Sequence, residues 1–340
     1  MKKAAVVILN YNGERYLRQF LPLVITHSVN CYVIVADNCS TDGSLAYIEQ
    51  HHPEVEILRL SKNSGYSQGY NEALQLVKAD YYILLNSDIE VTENWTQPIL
   101  EMLDSDPSVV AAQPKILSWH QKSYFEYAGA GGGYIDSLGY PFCRGRLFNT
   151  LEEDKGQYNG TQQIFWATGA CLFIRADTFH ELGGFDPDFF AHMEEIDLCW
   201  RINGAGYKIM YNGNSTVYHV GGGTLHKSNP HKTYLNFRNG LALVYKNYNT
   251  RELWLKFPIR IALDIVAAMK FMLFDTVADG MAVLKAHWHF WIEWKVNYKK
   301  RRNTQKQKRY FHLSTIYKGS VVFQYFIKGV RSFSALKFKP

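Results

Sequence analysis

The sequence is poor in cysteine. Its five, Cys31, Cys39, Cys143, Cys171 and Cys199, are odd in number and show no CxxC spacing, which excludes a disulfide framework and a structural zinc site and fits a reducing cytoplasm. An uninterrupted apolar run of about twenty residues, the length a bilayer-crossing helix needs, is also missing. The apolar and aromatic stretch from Leu253 to Ile292 is broken by Arg260, Asp264, Lys270, Asp275, Asp279 and Lys285. The opening MKKAAVVILNYNG begins as a signal peptide would, but its apolar run is too short and meets no small-residue cleavage site, so it reads as a first strand. The turn after it, NYNGERY, lacks the glycine spacing that lets a pyrophosphate approach a helix N-terminus, which argues against an NAD enzyme and against a nucleotidyltransferase loop. No DNA or RNA module accompanies the basic residues, which crowd at Lys295, Lys299, Lys300, Arg301, Arg302, Lys306, Lys308 and Arg309 within a formal net charge of only +6.

What is present is a repeated alternation. Apolar or β-branched runs at Ala4 to Leu9, Tyr32 to Ala36, Val55 to Leu60 and Tyr81 to Leu85 read as buried strands. Between them, Gly13 to Val24, Ser44 to His51 and Gln68 to Lys78 have the length of crossover helices, giving a βαβαβαβ order and a mostly parallel sheet. Each strand ends in polar residues: Asn10-Tyr11-Asn12, Asp37-Asn38, Lys62-Asn63-Ser64-Gly65 and Asn86-Ser87-Asp88. Turn chemistry explains any one of these. Four together mark the crevice outside the carboxyl ends of the strands, where open α/β sheets bind ligands. The Gly- and Tyr-rich region from about Ser118 to Gln163 has no readable period and is expected to be a functional loop or disordered. Further strands are expected at Ala170 to Arg175, Lys208 to Tyr211 and Thr216 to Val220.

Between the first two of those lies AHMEEIDLCWR, which places Glu194, Glu195 and Asp197 within four residues. Acidic side chains in the first turn of a helix complement its dipole and pair with a base four positions on, Asp197 with Arg201. The same cluster suits a general base aimed at a substrate hydroxyl. The residues alone leave both readings open. Near the end, apolar helices carrying Trp288, Phe290, Trp291 and Trp294, followed by the Lys/Arg run, suit a segment lying on an anionic membrane face. They equally suit a helical pair packed on the preceding domain with a solvated basic tail.

In order along the chain, VVILNYNGERYL, VIVADNCSTDGS, NSGYSQGYNEAL, YYILLNSDIEV and the block TGACLFIRADTFHELGGFDPDFFAHMEEIDLCWRINGAGYKIMYNGNSTVYHVGG resemble the family 2 inverting glycosyltransferases of GT-A fold, in particular their bacterial rhamnosyltransferase-like branch. Arg238 and Asn239 fit that branch's Arg-Asn pair. The resemblance implies a GT-A nucleotide-diphospho-sugar transferase fold, an α/β Rossmann-like sheet flanked by helices over residues 1–230 (donor half about 1–115, acceptor half about 116–230). A helical, amphipathic extension with a basic tail, peripheral to the cytoplasmic face of the membrane in one reading, is expected over 231–340. It gives Asp37 a hydrogen bond to the donor's uracil or thymine, and sets Asn10, Asn38, Asn63, Gly65, Asn71 and Asn86 along the donor. Asp88 matches the last residue of a DxD-like motif whose first position is Asn86, and His219 matches a histidine completing a Mn²⁺ or Mg²⁺ site. Where the family has Asp, Glu195 stands as the base, its extra methylene moving the carboxylate by roughly 1.5 Å. Asp197 is next in line, and Glu194 is a structural or acceptor-orienting group. Thr168-Gly169-Ala170 matches the turn beneath the acceptor. Trp166, Phe189, Phe190 and Trp200 are expected in the core before sugar stacking. The expected activity is transfer of a sugar from a dTDP- or UDP-sugar to a glycan or lipid-linked saccharide. A catalytically inactive sugar-binding module on the same fold is the alternative.

Overall fold

A computed structural model of the chain describes residues 3–221, 229–310 and 313–338. Gly222 and Gly223, the end of the block that carries the resemblance, lie outside the described residues. The period of two in β1 (Ala4–Asn10) sets the layering. Ala4, Val6 and Ile8 enter one apolar cluster and Ala5 and Val7 the other, so both faces of the strand are covered. The expected alternation follows as α1 (Glu14–His27), β2 (Cys31–Asp37), α2 (Ser44–His51), β3 (Glu56–Arg59), α3 (Gly65–Leu74) and β4 (Tyr81–Leu85), then β5 (Ile89–Val91), α4 (Gln97–Ser105) and β6 (Val109–Ser118). Helix α3 begins three residues earlier than the expected Gln68, because Asn38 and Asn63 accept the backbone N–H groups of Ser64 and Gly65 at its start.

The region from Ser118 to Gln163 is neither disordered nor a plain loop. It builds short strands β7 (Gly133–Asp136), β8 (Pro141–Cys143), β9 (Arg146–Leu147) and β10 (Thr150–Leu151), before β11 (Thr161–Ile164) rejoins the main sheet. Next come β12 (Cys171–Arg175), α5 (Ala176–Glu181), α6 (Glu194–Ala205) and β13 (Lys208–His219). The two strands expected within that last span are one, with a register shift between Asn212 and Thr216 against β6. The main sheet runs β11-β13-β6-β12-β4-β1-β2-β3, with β5 on β13. Its β3-β2-β1-β4 half is parallel, and antiparallel β12 separates that half from the parallel β6/β13 pair.

Beyond residue 229 lie α7 (Pro230–Asn247), α8 (Thr250–Phe274), α9 (Val277–Ile292), α10 (Trp294–Gln307), β14 (Ile316–Tyr317) and α11 (Val321–Phe326). This part is mostly helical, as expected, but it does not stand apart at residue 230. Leu241, Leu243 and Val244 share an apolar cluster with α3 and α6, and β14 adds to β7 as a parallel strand of the small sheet. The basic tail is not wholly solvated either. Arg301 donates to the carbonyl of Tyr248 at 2.6 Å and Lys308 to that of Asn247 at 2.8 Å, closing the C-terminal end of α7.

Candidate active site

Strand register assembles the first part of the site. Parallel pairing sets Asn10 beside Asp37 at the carboxyl ends of β1 and β2. Both are buried, and Asn10 Nδ2 lies 3.2 Å from Asp37 Oδ1 and 3.0 Å from the hydroxyls of Ser40 and Ser44. Asn38 Nδ2 donates to Asn63 Oδ1 and to the Gly65 carbonyl, each at 3.1 Å. Gly65 has φ +77°, and a Cβ there would fall 2.5 Å from the Phe190 ring, so only glycine fits where α3 meets the loop before α6. The N–H groups of Tyr66 and Ser67 donate to the Phe190 carbonyl, and the Tyr66 hydroxyl donates to the Gly169 carbonyl at 2.6 Å. The polar strand ends, the Thr168 to Ala170 turn and the loop before α6 therefore meet at one place. Asn71 does not join them. Its side-chain amide exchanges both hydrogen bonds with the backbone of Phe185, so it braces the turn after α5.

The second part lies at the end of β4. The Asn86 N–H donates to the Ala170 carbonyl. Antiparallel pairing of β5 with β13 puts His219 opposite Ile89, next to Asp88, and Asp88 Oδ1 lies 3.3 Å from His219 Nε2. On the other side of the ring, Glu126 Oε2 stands 3.2 Å from Nδ1, out of line for a hydrogen bond. All three side chains are buried. Burial alone would lower the His219 pKa, but the carboxylates of Asp88 and Glu126 overcome it and hold the ring up at about 10. The same ion pair outweighs burial at Asp88 and keeps its carboxyl below the usual range. The Asp88 oxygen and, once an arriving cation displaces its proton, the His219 Nε2 form a donor pair that suits Mn²⁺ or Mg²⁺ when diphosphate oxygens complete the shell. Among the described residues no group of three or more His, Cys, Asp or Glu side chains is arranged to hold a metal ion.

The third part is the start of α6. Three non-glycine residues before it, Phe190, His192 and Met193, have φ between +62° and +72°, a region such side chains rarely adopt. Asn239 on α7 holds that backbone: its Nδ2 stands 2.9, 2.9 and 2.7 Å from the carbonyls of Phe189, Ala191 and His192. Arg238 donates to the Asp188 carbonyl beside it. The bend delivers Glu194 and Glu195 side by side, each with Oε2 buried and unpartnered. Burial pushes the Glu195 carboxyl up to about 7, and burial together with the neighbouring Glu195 charge pushes Glu194 well up. His192, half-buried but with Nε2 itself buried and unpartnered, is driven down to about 4, chiefly by that burial.

Asp197 differs. Its Oδ2 accepts from Arg201 Nε and Lys246 Nζ, both at 3.0 Å, and its Oδ1 from Asn247 Nδ2 at 2.9 Å. Those cations outweigh burial and keep it ionised. With no oxygen left to reach a substrate, Asp197 fills the role that helix-pairing chemistry assigns it, extended by two partners on α7. Lys246 also bonds Asp186 at 2.6 Å, and Lys300 of α10 reaches the same carboxylate. This buried network fixes α6 to α7 and α10. Lys246→Met is expected to leave two buried carboxylates short of charge and to destabilise the fold by roughly 3 kcal/mol, read as a lowered urea midpoint. Trp166, Phe189 and Trp200 are buried in the core, and only Phe190, 42% exposed, is open to solvent.

Sequence reasoning missed Glu126, Asp186, Lys246 and Lys300. Only Asp186 carried a local signal, its place before Pro187, where its side chain caps a short turn.

The family model of glycosyl transferase family 2 matches residues 5–183. The N-acetylglucosaminyl-diphospho-decaprenol L-rhamnosyltransferase of Mycobacterium tuberculosis is 27% identical over 230 residues, covering 63% of this chain and 75% of the relative. Rhamnosyltransferase WbbL of Escherichia coli is 22% identical over 213 residues, covering 61% of this chain and 79% of the relative. Among solved structures, GalNAc-T7 with UDP, GalNAc and Mn²⁺ superposes with TM-score 0.59 at 19% identity, over 77% of this chain and 51% of that one. S. aureus TarS 1-349 with UDP-GlcNAc gives 0.54 at 14% identity, over 85% and 80%. At these identities the two structures share the fold.

Proposed function

Because the chain belongs to glycosyl transferase family 2, we propose that it moves a sugar from a nucleoside-diphosphate donor to a hydroxyl of a glycan or lipid-linked saccharide. The transfer inverts the anomeric carbon and serves cell-surface polysaccharide synthesis at the cytoplasmic face of the membrane. The observation that carries this is the pair of unpartnered carboxylates at the start of α6, set beside the polar strand ends by the Phe190 carbonyl that accepts from Tyr66 and Ser67. In this reading Asp37 hydrogen-bonds the donor base, and Asn10, Asn38, Asn63, Gly65 and Asn86 line the donor. Glu195 takes the proton of the acceptor hydroxyl as that oxygen bonds to the anomeric carbon. The bond to the diphosphate breaks on the opposite side, its electron pair leaving with the phosphate oxygen. Glu194, more deeply buried, orients the acceptor. Asp88 and His219 would hold Mn²⁺ or Mg²⁺, which when bound neutralises charge on the leaving diphosphate. Two of the sequence relatives are named rhamnosyltransferases, which supports a deoxyhexose donor such as dTDP-rhamnose.

Calorimetry of UDP, dTDP and GDP with and without Mn²⁺, followed by a donor-turnover assay, tests the reading. Uridine or thymidine diphosphate is expected to bind and GDP to bind at least tenfold more weakly, with Mn²⁺ tightening binding. Binding without turnover for any donor favours the inactive binding module. No nucleotide binding under any metal overturns the transferase reading.

A further inference from the structure

The feature the chemistry leaves unused is the outer face of α8 and α9. On α8, Leu255, Ile259, Val266, Met269 and Leu273 fall on one side of the helix and are all exposed, while Phe257, Arg260, Asp264 and Ala268 on the other side are buried. Helix α9 repeats the pattern, with Val277, Met281, Leu284, Trp288 and Trp291 exposed and Gly280, Val283, Ala286 and Phe290 buried. At the turn between the two helices, Leu273, Phe274 and Val277 are 74%, 78% and 63% exposed. An apolar helix face is normally covered, and soluble monomers rarely leave an apolar surface of this extent in water.

We propose that this face docks on an anionic lipid leaflet, with α8 and α9 lying in its interfacial plane. Charge selects lipid over a second copy of the chain. Residues 276–310 carry nine Lys and Arg against Asp279 and Glu293. Lys295, Lys299, Arg302 and Lys306 are exposed on α10, which starts directly after α9. Such a strip attracts anionic headgroups and repels its own copy. Trp254, Trp288, Trp291 and Trp294 are all exposed, and indole rings favour the boundary between headgroups and acyl chains. Among the described residues no helix is long and apolar enough to cross a membrane, so the face lies on the bilayer. The two helices are not a loose appendage. Asp264 binds Arg260 at 2.9 Å and accepts from Tyr140, in the turn between β7 and β8, at 3.0 Å, and Tyr234 of α7 meets His289 of α9 at 2.6 Å. Docking therefore orients α7, and through Asn239 and Lys246 the start of α6. The surface would bring a lipid-linked acceptor to the site, and for that purpose alone it rests on the proposed function.

The test is co-sedimentation of the full chain with phosphatidylcholine vesicles, with and without phosphatidylglycerol, in the absence of donor and acceptor. Binding is expected with phosphatidylglycerol, weakened by salt. It should fall at least tenfold in Phe274→Asp/Trp288→Asp and about fivefold for each of Lys295→Ala and Lys299→Ala, while all variants keep the parent melting temperature and nucleotide binding. No binding to phosphatidylglycerol vesicles overturns the proposal, as does binding that the substitutions leave unchanged. A dimer that Phe274→Asp/Trp288→Asp dissociates, in a protein that ignores vesicles, assigns the face to self-association instead. Nucleotide binding is read separately, so failure of the transferase reading and failure of the docking are distinguishable.

Discussion

Replacing Glu195 by Gln is expected to lower kcat by about 10²–10⁴-fold, to leave nucleoside-diphosphate binding unchanged, and to make the folded protein more stable at pH 8. The two effects share one cause. Burial holds the Glu195 carboxyl at about 7, close to the pH at which a base must be both ionised and basic enough to take a hydroxyl proton. The folded pKa lies above the ordinary carboxylate value, so the fold favours the protonated form. The stability this adds is complete below about pH 4.5 and is lost as pH rises through about 7. Gln imitates the protonated form at every pH. The parent should therefore lose more stability than Glu195→Gln between pH 5 and 8, the variant keeping only the contribution of the buried Glu194, and the gap at pH 8 should be on the order of 2 °C per kcal/mol of penalty removed in a chain of this size. Transfer by the parent should rise with pH through about 7. A Glu195→Gln protein that keeps full kcat would move the base to Glu194. One that loses activity together with melting temperature would make Glu195 a structural residue.

The parts of this site differ in how openly the sequence displayed them. The strand ends were legible because each follows a short apolar run, and parallel register then carries Asn10 and Asp37 together without further information. The α6 carboxylates were legible as a cluster, but their division of labour was not. Asp197 stood next in line to Glu195 as base, but Lys246 and Asn247, 49 and 50 residues away, hold both its oxygens. The small sheet escaped because its strands are two to four residues long, too short for an alternating pattern to register. Its last strand, β14, is borrowed from residues 316 and 317. Glu126 sits in that same region and gave no signal at all. Its meaning comes from the pairing of β13 with β6 and β5, which brings His219 to it.

Asp88→Ala is expected to abolish the Mn²⁺-dependent part of nucleotide binding and to lower kcat by at least 10³-fold, in keeping with the several kcal/mol by which a cation stabilises a leaving diphosphate. Binding measured without metal should change little, since in the proposed arrangement Asp37 meets the donor base and Asn10, Asn38, Asn63 and Gly65 line the donor. Fold stability supplies the control. Asp88 and His219 form a buried ion pair, so removing the carboxylate leaves a buried histidine facing Glu126 alone, and some loss of melting temperature is expected with it. Glu126→Gln separates the two contributions. It keeps an oxygen beside His219 Nδ1 and leaves Asp88 intact, so it should lower Mn²⁺ affinity by roughly 10- to 100-fold, as loss of an outer carboxylate on a metal-binding histidine does, and saturating Mn²⁺ should restore transfer. If Asp88→Ala retains metal-dependent binding, Asp88 and His219 are a structural pair and the diphosphate charge is met elsewhere. If Glu126→Gln cannot be rescued by Mn²⁺, Glu126 supports the fold around β13 and not the ion.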